Sequence, residues 1–290
     1  MGTRTKYGLL DVINLAILFV FLLLCLIPFF HIIAISLSSN APIMSGKVTI
    51  FPMELNFDAY TTVIHDSTMV RSLGFTVLLT LLYTVLCMIM TIIAAYPLTK
   101  TRLKGRKFFM YLIVFTMFFG GGIIPDYILV KELHLLDSIW SLVLPSLVNP
   151  FYLIIMISFF NSLPAGLEES AEIDGSTFVG ILWRIILPLS MPILATLSLF
   201  YAVNRWNGFS DTLYYITNPD LYPLQLKLYQ LIINSSSPEL QLQEGANVAQ
   251  VMPESLKAAS IMFATIPILV VYPWLQRYFV SGIMLGSVKG

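Results

Sequence analysis

The chain has 290 residues, 57% of them hydrophobic and only 11% charged, with a formal net charge of zero. Soluble domains carry about a quarter charged residues, so these charges cannot cover a water-facing globule of this length. Neutrality also argues against a nucleic-acid partner. The two cysteines, Cys25 and Cys87, fall inside apolar runs. That predicts buried free thiols, not a disulfide framework or a zinc site.

A bilayer core about 30 Å thick needs roughly 20 apolar residues in helical form, because backbone polar groups find no water there. Six segments qualify: about 13–37, 73–98, 108–127, 139–160, 188–203 and 258–280. The first apolar block is too long for a signal-peptide core and no small-residue cleavage site follows, which predicts a retained helix. The third is interrupted by Gly120-Gly121-Gly122 and Pro125, and several others carry internal prolines. The link 99–107 holds Lys100, Arg102, Lys104, Arg106 and Lys107. The bias of basic residues toward the inner side predicts a cytoplasmic link, which places both termini inside. Segments 38–72 and 205–257 are then extracytoplasmic, and 161–188 is a cytoplasmic loop within one transmembrane domain spanning 1–290. No internal repeat is evident.

The loop reads NSLPAGLEESAEIDGSTFVGILWRIILP. Ser162 and Pro164 predict a helix start, Gly175 its left-handed stop, and Ser176 the cap of a second helix. Phe178, Ile181, Leu182, Ile185 and Ile186 share one face of that second helix, which Pro188 ends. The first helix carries Glu168, Glu169, Glu172 and Asp174 with no basic residue among them. Such an acidic knob suits a basic partner, although charge runs often mean only a solvated face.

Glu169-Ser170-Ala171, three residues, Gly175, nine residues, then Ile185-Ile186-Leu187-Pro188 resembles the EAA loop of ABC importer permeases, with Ser170 in place of the middle alanine. The resemblance implies an all-α membrane protein, a six-helix bundle of the MetI-like fold. Its loop would be a coupling helix docking on a separate ATPase through Glu169, Ser170, Ala171, Gly175, Ile185, Leu187 and Pro188. Asn204–Phe209 together with Tyr222-Pro223-Leu224-Gln225 resembles the carbohydrate permeases. The end of the chain is similar to the MalG side of the maltose-type group. It implies a tail, Gly286, Ser287, Val288, Lys289 and Gly290, that reaches between two ATPase subunits. The stretch SLSSNAPIMSGKVTIFP is similar to the LplC/YtcP branch, associated with complex oligosaccharides.

What the resemblance implies is an importer permease in the bacterial plasma membrane, carrying a complex carbohydrate by alternating access. Its partners would be a second homologous permease, two ATPase subunits, an extracytoplasmic solute-binding protein and the lipid bilayer. Ser45-Gly46-Lys47 lacks the upstream glycine of a phosphate loop, so the chain is expected to be no enzyme and to hold no cofactor. ATP and Mg would sit on the partner ATPases. His31, His65 and His134 are scattered, so no metal site is expected. Sugar binding calls for aromatic faces and hydroxyl-bonding amides. Asn149, Phe151, Tyr152, Tyr201, Asn204 and Trp206 are the pathway candidates, with Asp126 and Tyr127 beside the third-segment break. A peptide or amino-acid permease of the same fold is the nearest rival. An ion-coupled transporter would want mid-membrane charge pairs and repeats, and an intramembrane enzyme a catalytic constellation; the sequence offers neither.

Overall fold

Residues 8–236 and 253–287 are described by a computed structural model. Every long apolar run in it is helix, the form that satisfies backbone polar groups internally. In chain order the helices are α1 (Leu9–Ser36), α2 (Asn40–Met44), α3 (Asp58–His65), α4 (Ser67–Thr99), α5 (Arg106–Phe118), α6 (Ile123–Glu132), α7 (Pro150–Ser162) and α8 (Ala165–Ile173). They continue with α9 (Phe178–Ile181), α10 (Leu187–Leu189), α11 (Met191–Asn207), α12 (Ser210–Tyr215), α13 (Leu224–Ser236) and α14 (Pro253–Ser287). A π turn, Leu182–Ile186, joins α9 to α10, and two 3₁₀ turns, Ile139–Leu142 and Leu144–Ser146, precede α7. Among the described residues the only extended pairing is the isolated bridge Ser38–Leu55.

Three helices are long and apolar enough to cross a membrane: α1, α4 and the Glu254–Val271 part of α14. The other three expected segments are each broken into a bent pair, at the expected glycine interruption in the third and, as a correction to the reading of them as continuous, in the fourth and fifth. The angle is 117° between α5 and α6, 51° between Ile139–Ser146 and α7, and 82° between Phe178–Leu189 and α11. Each break has a local cause. Phe119 is extended and Gly122 takes φ +86°, so the glycine run stops α5 and restarts α6. Asn149 caps α7 by accepting from the Phe151 and Tyr152 amides, with Pro150 in the first turn, where its missing N–H costs nothing. Pro188 and Pro192 flank the third bend at Ser190.

The chain divides into two compact units. In the unit made of Met1–Val70 and Leu228–Pro267, Ala59, Val63 and Ala259 form a small core with Tyr60, Leu256 and Phe263 against it. Ser36 Oγ shares a 2.8 Å hydrogen bond with Tyr60 Oη, and Ser38 Oγ donates to the Ala34 carbonyl. The most apolar window of α1 has no buried residue, and Cys25 is exposed there, which corrects the expectation of two buried thiols. Cys87 is buried as expected.

The second unit, Arg71–Lys227 with Ile268–Gly290, holds the main core. Leu79, Tyr83, Cys87, Leu142, Met156, Leu197 and Tyr201 interlock with Ala171, Ile181 and Ile186. Small residues let helices approach where lipid offers no hydrophobic drive to do so. Ala95 of α4 is a fully buried residue of this kind.

Candidate functional site

The 161–188 loop is built by backbone hydrogen bonds that its sequence dictates. Ser162 closes α7, its hydroxyl donating to Phe159, and so does not start the next helix; Pro164 is the N-cap of α8. Gly175 takes φ +80° after α8. Its N–H bonds to the Glu172 carbonyl and the Ser176 N–H to the Ala171 carbonyl. These are the paired bonds of a Schellman stop, which needs a left-handed residue at the glycine position. The second helix is capped by Thr177, not Ser176: the Thr177 hydroxyl accepts from the Gly180 amide at 3.2 Å.

Of the five apolar residues expected on one face, Ile181 and Ile186 are buried, Leu182 and Ile185 are half-buried, and Phe178 is exposed. The face is interrupted because residues 182–186 form a π turn, with the Leu187 N–H reaching the Leu182 carbonyl. Pro188 lacks an N–H and would clash with the carbonyl four residues back in a regular helix, a conflict the wider turn relieves.

The acidic knob is partly neutralised within the chain. Lys100 pairs with Glu168, and Arg102 donates to both carboxylate oxygens of Glu172 at 2.6 and 2.9 Å. Those hydrogen bonds, with the carboxylate charge, raise the Arg102 pKa. The basic link and the acidic loop therefore lie at one end of this unit. Glu169, Ser170, Ile173 and Asp174 face outward, and Ile173 is 86% exposed, while Ala171 is buried in the core.

The pathway candidates separate into two groups. Asn149, Tyr152 and Tyr201 meet: the Asn149 N–H donates to Tyr201 Oη at 3.3 Å, and the Tyr152 and Tyr201 rings pack edge to face at 4.8 Å. Tyr201 also shares a hydrogen bond with Thr91 and packs edge to face with Tyr83. Asn149 spends its side-chain oxygen on the α7 cap. Phe151 and Asn204 are exposed, and Trp206 is buried with no partner for its indole N–H. Tyr127 stacks on Tyr215 at 6.4 Å. In the tail, α14 runs through Ser287, and residues 288–290 lie outside the described residues.

Sequence reasoning passed over Arg205 as a site residue. It is 5% exposed and bidentate to Asp211 at 2.5 and 2.9 Å, and donates further to the Leu142 and Gly208 carbonyls. A buried guanidinium needs such pairing, and here both terminal nitrogens are engaged while Nε has no partner. A β-carbon on Gly208 would stand 3.1 Å from the guanidinium and 3.2 Å from the Asn204 carbonyl oxygen, so any side chain there would require these groups to shift. The available signal was an arginine at the end of an apolar run with a carboxylate six residues on. Among the described residues, no group of His, Cys, Asp or Glu could hold a metal ion.

Apolar helices of crossing length, three bent pairs and a capped two-helix loop are the features of an integral membrane protein. The chain belongs to the family described as "Binding-protein-dependent transport system inner membrane component", which matches residues 82–284. It is 41% identical over 285 residues to the polygalacturonan/rhamnogalacturonan transport system permease protein YtcP of Bacillus subtilis, covering 98% of this chain and all of that one. It is 43% identical over 290 residues to protein LplC of the same organism, covering 99% and 97%. Among solved structures it resembles a chain of a bacterial ABC transporter that imports the acidic polysaccharide alginate. There the TM-score is 0.87 and the identity 32%, with 96% and 99% covered.

Proposed function

We propose that this chain is the permease of an importer for a complex carbohydrate, completed by a second homologous permease and driven by two separate ATPase subunits. An extracytoplasmic binding protein would deliver the solute. The carbohydrates named for the relatives, polygalacturonan, rhamnogalacturonan and alginate, support an oligosaccharide or polysaccharide-derived cargo. With each bent pair counted once the chain would cross six times, so both termini would share a side, and the basic 99–107 link supports the cytoplasm as that side. The ion pairs joining 99–107 to α8 support placing those two loops on the same side.

The observation that carries the coupling role is the outward face of α8. Glu168 and Glu172 are held by this chain's own cations, while Glu169, Ser170 and the bare Ile173 are left for a partner. An apolar anchor beside one carboxylate fits a cleft with an apolar floor and a basic edge. Docked there, a charge-assisted contact partly removed from water is stronger than an exposed pair. The α8–turn–α9 unit then moves as a lever: ATP-driven closure of the ATPases shifts the helices between inward-open and outward-open states. The tail, Gly286–Gly290, is proposed to lie against the ATPase pair. Asn149, Tyr152 and Tyr201 are proposed to border the solute pathway with Phe151, Asn204 and Trp206.

The test is Glu169→Lys in the purified complex. It should insert normally but lose solute-stimulated ATP hydrolysis, with association weakened about tenfold or more, the loss expected when a charged hydrogen bond of about 1.5–3 kcal/mol is replaced by repulsion. A wild-type stimulated rate would remove α8 as the coupling element.

A further inference from the structure

We propose that the groove between α4 and the Phe178–Leu189 helix is a binding site for one anionic phospholipid, its acyl chain in the groove and its headgroup at Lys100 and Arg102. The groove holds about 400 Å³ and is open along one side. Its walls are apolar or aromatic, formed by Ile89, Ile93 and Tyr96 of α4 and by Phe178, Leu182 and Trp183 opposite. Such a volume is ample for a small ligand, and the only polar side-chain groups among the lining residues are the Tyr96 hydroxyl, which has no partner, and the Trp183 indole N–H. The wall is part of a helix apolar enough to cross a bilayer, and Trp183 is two-thirds exposed. Hydrocarbon is the solvent that such a surface meets.

Charge decides between a free lipid and a protein segment. Lys100 Nζ stands 4.3 Å from the centroid of the Tyr96 ring, and Arg102 Cζ 5.7 Å from that of Phe178. Two lining rings thus carry cations at one mouth of the groove. Glu172 engages one terminal nitrogen of Arg102, which leaves its other donors available. Lys104, Arg106 and Lys107 follow in the same link, which makes five cations against the four carboxylates of Glu168, Glu169, Glu172 and Asp174. An acyl slot with a cationic rim is complementary to a phosphate headgroup. The site does not depend on which solute is carried, and it adjoins the coupling loop, since Leu187 lines the groove and Lys100 and Arg102 pair with α8.

Trp183 is its own reporter. The assembled importer would be placed in nanodiscs of phosphatidylcholine with increasing brominated phosphatidylglycerol, and in the converse series with brominated phosphatidylcholine. The Trp183 signal is the emission difference between the native chain and Trp183→Phe. Half-maximal quenching should come at about a fivefold lower mole fraction of the anionic lipid, the factor one engaged cation supplies. Arg102→Gln should shrink that preference, and Ile93→Trp, which fills the groove, should abolish it. Superimposed series would mean ordinary bilayer contact. No quenching by either lipid would mean that a protein covers the groove. Either result, or an unchanged preference in Arg102→Gln, overturns the proposal.

Discussion

Replacing Gly175 isolates the turn between the two loop helices from everything around it. Its φ is +80°, and a β-carbon there would meet nothing within 4 Å. Substitution by alanine is therefore free of steric contact, and its cost is backbone strain. A left-handed conformation costs an L-residue about 1–2 kcal/mol, more if it is β-branched and less for asparagine. The hydrogen bonds from Gly175 and Ser176 to Glu172 and Ala171 are backbone bonds, so they survive whenever the conformation does. A penalty of that size lowers the ratio of the native turn to its alternatives about 5–30-fold. Affinity for a partner that recognises the native turn falls by up to that factor. Stimulated ATP hydrolysis measured against ATPase-subunit concentration should then shift in the order Gly, Asn, Ala, Val, with membrane insertion unchanged. Equal curves for all four would refute a role for this turn in coupling. An asparagine variant as impaired as valine would refute the argument from φ, because side-chain volume would then be the cause.

Arg102→Glu and Glu172→Arg should each weaken the loop-to-link contact, and the double swap should restore it. The pair is largely exposed, so about 0.2–1 kcal/mol is expected in a double-mutant cycle of thermal stability; zero coupling energy would mean that the pair does not form in solution. Asp137 accepts from the Thr217 hydroxyl and from the Asn218 and Thr217 amides, and these bonds lower its pKa. Its contribution is therefore complete above the ordinary carboxylate value of about 4 and is lost as pH falls through the lower folded value. Hydrogen exchange at Thr217 and Asn218, corrected for intrinsic rate, should show protection at neutral pH that Asp137→Ala abolishes; equal protection in both would sink this. Single cysteines at Lys104 and at Glu54, placed in a chain lacking Cys25 and Cys87, should be labelled from the cytoplasmic and outer sides respectively. Outer labelling at position 104 would overturn the topology.

How much of this was legible beforehand depended on the range of the interaction. The glycine break at 120–122, the Gly175 stop and the apolar runs are local, since they follow from the conformational freedom of one residue or the hydropathy of its neighbours. The shift of the second cap from Ser176 to Thr177 is a one-residue matter of which hydroxyl reaches an amide, and composition does not resolve it. The π turn at 182–186 arises from packing Ile181 and Ile186 inward while accommodating Pro188, which no periodicity announces.

By itself the sequence determined a membrane protein of apolar helices, the break at Gly120–Gly122 and the Gly175 stop between the two loop helices. Each of these rests on bonds within a few residues or on transfer between water and lipid. Only the tertiary structure decided that Lys100 and Arg102 neutralise Glu168 and Glu172, leaving Glu169 free. It alone buried Arg205 on Asp211, and joined Asn149, Tyr152 and Tyr201 in one cluster. Those partners lie on different helices, or around a turn whose shape is set by them, and a charge or a ring carries no mark in the sequence of which distant surface will meet it.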